Sequence, residues 1–349
     1  MKEPNHSKRK SEHIDIVLNR KVTGTGITTG FETYRFIHQA LPEIAFSDIS
    51  LETDFLGKRL KAPFLISSMT GGTKKARRIN RNLASAAEAR GWAMGLGSVR
   101  AALEHPETAD TFNMREVAPS IPLLANLGAV QLNYGYGVDH CRRAVEVTKA
   151  DALILHLNSL QEVFQPGGNT DFRNLLQKIE DVASALEVPV GVKEVGWGIH
   201  GELARRLFDA GVAFVDVAGA GGTSWSQVEK YRSRDELRFQ AARAFEDWGL
   251  PTADCLRDVR SLTPEGTLIA SGGLKDGVEG AKALALGANL AGYGRSLLRP
   301  ATEPAEEAIT RQLERIELEC KITMFATGID RVEMLKGTKR IVKKERADR

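Results

Sequence analysis

The chain has 349 residues, 42% of them apolar, with 48 Lys and Arg against 45 Asp and Glu, a net charge of +3. That length and apolar content allow one large barrel or two ordinary domains around a substantial core. The charge is too small to attract nucleic acid or a membrane surface in bulk, so any anion site must be local.

Residues 1–15, MKEPNHSKRKSEHID, contain no apolar leader segment, and no later run approaches the ~18–20 apolar residues that span a bilayer. From residue 63 onward short apolar runs recur at 63–68 (PFLISS), 92–96, 121–126 (IPLLAN), 152–157, 188–193 (VPVGVK), 213–217, 267–271 (TLIAS) and 289–293. Each opens into a glycine or polar loop and then an amphipathic stretch, among them 74–90, 172–186, 201–210 and 278–286. The runs are continuously apolar rather than alternating, as in a parallel sheet covered on both faces. Eight β/α units in series predict a (β/α)8 TIM barrel rather than an open doubly wound sheet. The chain is read as lacking both the dinucleotide-type G-x-G-x-x-G fingerprint and a P-loop, which sets aside a dinucleotide-binding domain and a P-loop NTPase.

The predicted organisation is an N-terminal extension over residues 1–62, a barrel over 63–325 and a basic tail over 326–349. Residues 224–264, after strand six, form an insertion and a candidate lid. The basic end, KRIVKKERADR, reads as a solvated helix or frayed terminus. Cys141, Cys255 and Cys320 are scattered without CxxC spacing, which points to reduced thiols in a cytoplasmic protein.

In a barrel, the carboxyl ends of the strands converge on one mouth. Polar and glycine clusters fall there repeatedly: Ser67, Ser68, Met69 and Thr70 after strand one, Ser98 and Arg100 after strand two, Asn126 on strand three, and Lys193 ending strand five. GAGGT after strand six (through Thr223), SGGLKDG after strand seven (Gly273, Leu274, Lys275) and GYGR after strand eight (Gly294, Arg295) bring exposed backbone N–H groups together. This is the pattern of a phosphate cradle. Ring donors on the early strands and a cation at Lys193 complete the expectation of a flavin mononucleotide (FMN) site. Strand four opens into LHLNSLQE, with His156, Asn158, Gln161 and the lone carboxylate Glu162.

RKSEH (Arg9, Lys10, His13), SSMTGG, GSVRAAL, ANLGA, LHLNSLQE, PVGVKEVG, GAGGTSW, WGLPT and SGGLKDG together resemble the type 2, FMN-dependent isopentenyl-diphosphate delta-isomerases, from Arg9 to about Arg295. The resemblance implies bound FMN, Mg2+, NADPH as reductant and a homo-oligomer, commonly a tetramer or octamer. It also implies isomerisation of isopentenyl diphosphate to dimethylallyl diphosphate by proton transfer. By the same resemblance, Arg9, Lys10, His13, Ser98, Arg100, His156, Asn158 and Gln161 hold substrate, and Glu162 holds Mg2+. Lys193, Gln161, His156 and Trp225 serve catalysis. Taken singly, each of these residues has an ordinary structural explanation; their joint placement argues for a site. Ala218 and Val99 stand where the family often has polar residues. Two rivals are an FMN-dependent 2-hydroxy-acid oxidase or dehydrogenase, and a non-catalytic flavin-binding barrel.

Overall fold

The computed structural model describes the backbone of residues 6–344 and the side chains of residues 9–344. Eight parallel strands close into a barrel in chain order: Phe64–Ile66, Ala93–Gly95, Leu123–Gly128, Ala152–His156, Val190–Lys193, Phe214–Asp216, Thr267–Ala270 and Leu290–Tyr293. Seven of the eight predicted runs contain their strand whole, and the third, 121–126, covers the start of Leu123–Gly128. The intervening helices bury one apolar stripe against the outside of the sheet. Lys74–Arg90, for example, is capped at its start by Thr73, whose side chain accepts from the Ala76 amide, and ends at Gly91 in the left-handed region (φ 65°).

A two-residue alternation divides the barrel interior into layers. Leu65, Ala93, Leu124, Ile154, Phe214, Ile269 and Leu290 form a dry inner cluster, closed at the amino-terminal end by Phe55 and Leu60. These last two come from an antiparallel hairpin, Thr53–Phe55 with Lys58–Leu60, and Phe55 meets Phe214 edge to face with ring centroids 5.6 Å apart. Two residues farther along each strand, the inward positions become Ser67, Gly95, Asn126, His156, Lys193, Asp216, Ser271 and Gly292. The barrel therefore changes from hydrocarbon to a polar and glycine ring within one step of the pleat.

Two boundaries differ from the sequence reading. The helix Thr252–Leu262 packs on Gly201–Asp209 and on the seventh strand as the sixth unit's own barrel helix, so the inserted segment stops near Leu250. It comprises the helices Trp225–Arg232 and Glu236–Arg243. The basic end is neither helical nor frayed where it is described: Ile341–Lys343 pairs antiparallel with Tyr34–Phe36. A short apolar pair, Ile341 and Val342, between basic pairs suits an edge strand as well as a solvated helix, and only the partner strand decides between them.

The N-terminal helix, His6–Asn19, lies across the mouth on the Trp225–Arg232 and Arg295–Ala301 helices. The chain behind it is tied to the insertion by an isolated bridge between Thr23 and Thr223. No helix among the described residues is long and apolar enough to cross a membrane.

Candidate active site

A cavity of about 370 Å3 opens at the carboxyl ends of the strands, within the usual size range of ligand pockets. Every site residue singled out in the sequence lies on its wall, from Arg9 on the N-terminal helix to Arg295 after strand eight.

One side is the polar ring. His156 and Lys193 are Cα partners across strands four and five, and Lys193 and Asp216 across strands five and six. Asn126 Oδ1 lies 2.8 Å from His156 Nδ1. Burial, with the charges of Lys193 and Lys10, lowers the His156 pKa to about 3, so this imidazole is neutral. Lys193 Nζ donates to the Glu194 carbonyl at 2.5 Å. Burial lowers its pKa, while Asp216 and Glu194 oppose that shift.

A second side is the glycine cradle. Gly272 and Gly273 have φ of 107° and 87°, and a Cβ on Gly273 would stand 2.6 Å from Thr29 Cγ2 and 2.8 Å from the backbone of Gly221 and Gly222. Only glycine lets these two loops meet. Gly222, Gly272 and Gly273, together with Thr223, Lys275, Gly294 and Arg295, line the cavity. Nearby, Ser67 Oγ and Thr70 Oγ1 are buried hydroxyls with no protein partner, which is the state of donors awaiting a ligand.

The third side is cationic. Arg9, Lys10 and Arg100 converge here. Burial and the neighbouring Arg9 lower the Lys10 pKa to about 8, and burial with the charge of Arg232 lowers that of Arg9. Such crowding favours an incoming anion. Beside it, the short helix Ser159–Phe164 begins at Asn158, which places Gln161 and Glu162 in its first turn. Asn158 Nδ2 donates to Glu162 Oε1 at 2.8 Å, and the Asn169 amide donates to Glu162 Oε2 at 2.6 Å. Asn158 Oδ1 is buried with no partner.

Two residues absent from the sequence reading tie the site to its cover. Glu229 is fully buried on the Trp225–Arg232 helix. It lies 2.9 Å from His13 Nε2, accepts from Gln161 Nε2 at 3.3 Å, and pairs with Arg232. Burial works to raise its pKa, but the bond to His13 and the charge of Arg232 prevail and hold it low. The acidic residue four places into a helix carried no motif of its own, so only its burial reveals it.

The family described as FMN-dependent dehydrogenase matches residues 4–112 and 148–343. A curated relative from Oceanobacillus iheyensis, an isopentenyl-diphosphate delta-isomerase, is 56% identical over 335 residues, covering 96% of each chain. The isopentenyl-diphosphate delta-isomerase of Nostoc sp. is 50% identical, covering 94% of this chain and 93% of that one. The chain belongs to the type 2, FMN-dependent isopentenyl-diphosphate delta-isomerase family. Solved structures with the same fold include a mandelate oxidase mutant with a monooxide FMN adduct (TM-score 0.65, 18% identity, 95% of both chains). A flavocytochrome b2 mutant with pyruvate bound is also similar (TM-score 0.69, 17% identity, 96% of this chain and 82% of that one).

Within this family the two departures read differently. Val99 is fully buried and absent from the cavity wall, so its apolar side chain takes nothing from the site. Ala218 does line the cavity, at a strained φ of 38°.

The glycine pattern G-x-G-x-x-G does occur once, at GWGIHG, residues 196–201, after strand five rather than strand one. Its amides bind no dinucleotide here: Glu194 Oε2 accepts from Val195, Gly196 and Trp197 at 2.5–2.7 Å, and from Gly198 at 3.3 Å. The chain's own carboxylate occupies the nest.

Proposed function

We propose that this protein converts isopentenyl diphosphate to dimethylallyl diphosphate, using reduced FMN and Mg2+. One observation carries the reading: a single cavity holds two separate anion anchors, the glycine cradle and the Arg9, Lys10 and Arg100 cluster. One suits the phosphate of FMN, the other a substrate diphosphate.

The residues fit both groups. The two glycine loops meet only because no Cβ stands between them, and they would hold the phosphate of FMN, while the unpartnered Ser67 and Thr70 hydroxyls, with Ser68, Met69, Ser98 and Asn126, would hydrogen-bond the polar edge of its ring. Leu274 and Lys275 extend the cradle wall. Glu162 with the orphaned Asn158 Oδ1 offers hard oxygen donors for Mg2+. No cluster of three or more His, Cys, Asp or Glu suited to a metal exists among the described residues, as expected of an ion that takes its other oxygens from water and phosphate.

The reaction adds a proton at C4 and removes one from C2. Reduced FMN would supply an acid–base group strong enough for an isolated alkene, with NADPH as the source of its electrons. Arg9, Lys10 and Arg100 hold the diphosphate, and Asn158 and Gln161 present amides beside it. His156, held neutral, adds a hydrogen-bonding edge without adding charge. Lys193 puts a positive charge on the ring side of the cavity. Trp225 offers an aromatic face to a cationic carbon, worth about 1–2 kcal/mol when desolvated. His13 packs on Trp225 with ring centroids 5.2 Å apart, and this contact helps close the cavity against water that would capture the cation.

The oxidase reading needs a histidine base. His156 is bonded to an amide rather than a carboxylate, and a group with a pKa of about 3 accepts protons poorly; His13 does meet the Glu229 carboxylate, but through the Nε2 edge of a ring packed on Trp225, and burial lowers its pKa as well. Incubation of the reduced, Mg2+-loaded protein with isopentenyl diphosphate tests the proposal. Dimethylallyl diphosphate is the expected product; flavin reduction by a 2-hydroxy acid would favour the oxidase, and indifference to both a non-catalytic barrel.

A further inference from the structure

Asp216 is the one acid in the polar ring, and no part of its surface is exposed. Its Oδ1 accepts from the Ser271 amide at 3.1 Å and from the Ala218 amide at 3.2 Å, while Oδ2 has no partner. A carboxylate satisfied on one oxygen and bare on the other, inside a protein, needs a cation nearby. Lys193 is its Cα partner on the next strand, and it is 7% exposed. Neither charge is stable alone in such a place. Lys193's other contacts, His156 on strand four and the Glu194 carbonyl, supply no formal charge, and the Glu194 carboxylate favours the ammonium less than Asp216 does. The Glu194 carboxylate is turned to the backbone amides of the following loop.

We propose that Asp216 is the counter-ion that keeps the Lys193 ammonium charged in a site closed to water, a positioning residue behind the flavin-facing cation. The proposal rests on the reading that Lys193 faces reduced FMN. Asp216 does not itself line the cavity; it acts through Lys193. The same carboxylate draws the Ala218 amide inward and accounts for that residue's positive φ, so the strand end, the cation and the start of the glycine cradle share one anchor.

Asp216→Asn keeps the shape and an oxygen to accept both amide bonds, and removes the charge. The measurement is the midpoint potential of FMN bound to the holoprotein, for the parent, Asp216→Asn, Lys193→Gln and the double variant. A positive charge at the ring favours the electron-rich reduced flavin, so Lys193→Gln should shift the potential negative. If Asp216 sustains that charge, Asp216→Asn shifts it negative as well, although an anion has been removed. The double variant then matches Lys193→Gln and is no less heat-stable than Asp216→Asn.

A positive shift or none in Asp216→Asn, beside a negative one in Lys193→Gln, overturns the counter-ion role. No shift in Lys193→Gln instead removes the reading of Lys193 on which it rests. Acylation of Lys193 in the apoprotein, mapped by mass spectrometry at mildly alkaline pH, gives a flavin-free check. The uncharged amine is the nucleophile, so Asp216→Asn should react faster than the parent, and an equal rate counts against the proposal.

Discussion

His13, on the N-terminal helix, and Glu229, 216 residues later on the insertion's first helix, meet at 2.9 Å between Nε2 and Oε1 over the cavity. Gln161 donates to the same Oε1, and Arg232 pairs with the other carboxylate oxygen. One buried carboxylate therefore joins the N-terminal arm, the insertion and the strand-four loop. Removing it leaves Arg232, itself 7% exposed, with only the more exposed Glu12 carboxylate, at 3.2 Å, as counter-charge. Glu229→Gln should cost about 3 kcal/mol of stability and most of the turnover, seen by thermal unfolding and by product formation with FMN and Mg2+ saturating. An unchanged melting temperature would contradict the joint.

The neutral state of His156 has a consequence for acid stability. Its pKa falls from 6.5 unfolded to about 3 folded, through burial and the charges of Lys193 and Lys10. The unfolded chain therefore binds a proton that the native state refuses. Its contribution is intact above pH about 6.5 and is lost as pH falls toward about 3, at up to about 1.4 kcal/mol per unit. Urea unfolding across that window should show a shallower slope in His156→Gln than in the parent; parallel slopes would mean that His156 protonates in the fold.

Gly273→Ala tests the cradle. At φ 87° with backbone 2.8 Å from the new Cβ, alanine carries a strain of about 1–2 kcal/mol, or roughly tenfold in FMN affinity. Fluorescence titration of the apoprotein reads this directly. Binding as tight as the parent's would place the phosphate elsewhere.

Glu162→Gln leaves the loop bonds largely in place while weakening the oxygen set offered to Mg2+. The Mg2+ concentration for half-maximal turnover should rise at least about tenfold, and chelation of the parent should abolish product without releasing flavin. Turnover insensitive to chelator would remove Glu162 from that role.

The barrel was legible because eight buried runs with glycine or polar ends have few other solutions, and each run coincides with a strand to within two residues at its ends. The cavity residues were legible where they sit in motifs at strand ends. Asp216 and Ser271 were not singled out, although their signal was present: they stand two residues beyond Phe214 and Ile269, on the same inward parity as His156 and Lys193. Glu229 and Arg232 lie on a helix whose charges suggest a solvated face, and they are buried by tertiary packing of the Ser159–Phe164, Glu236–Arg243 and N-terminal helices against it. The C-terminal strand depends on a partner some three hundred residues away, information that no local pattern contains.

The proposed isomerisation moves protons without net transfer of electrons. Following flavin absorbance and product together in deuterated buffer, after one charge of reductant under anaerobic conditions, measures it. Many turnovers per flavin, deuterium in the dimethylallyl product and a flavin still reduced at the end are expected. Product formed only in proportion to flavin oxidised would contradict it.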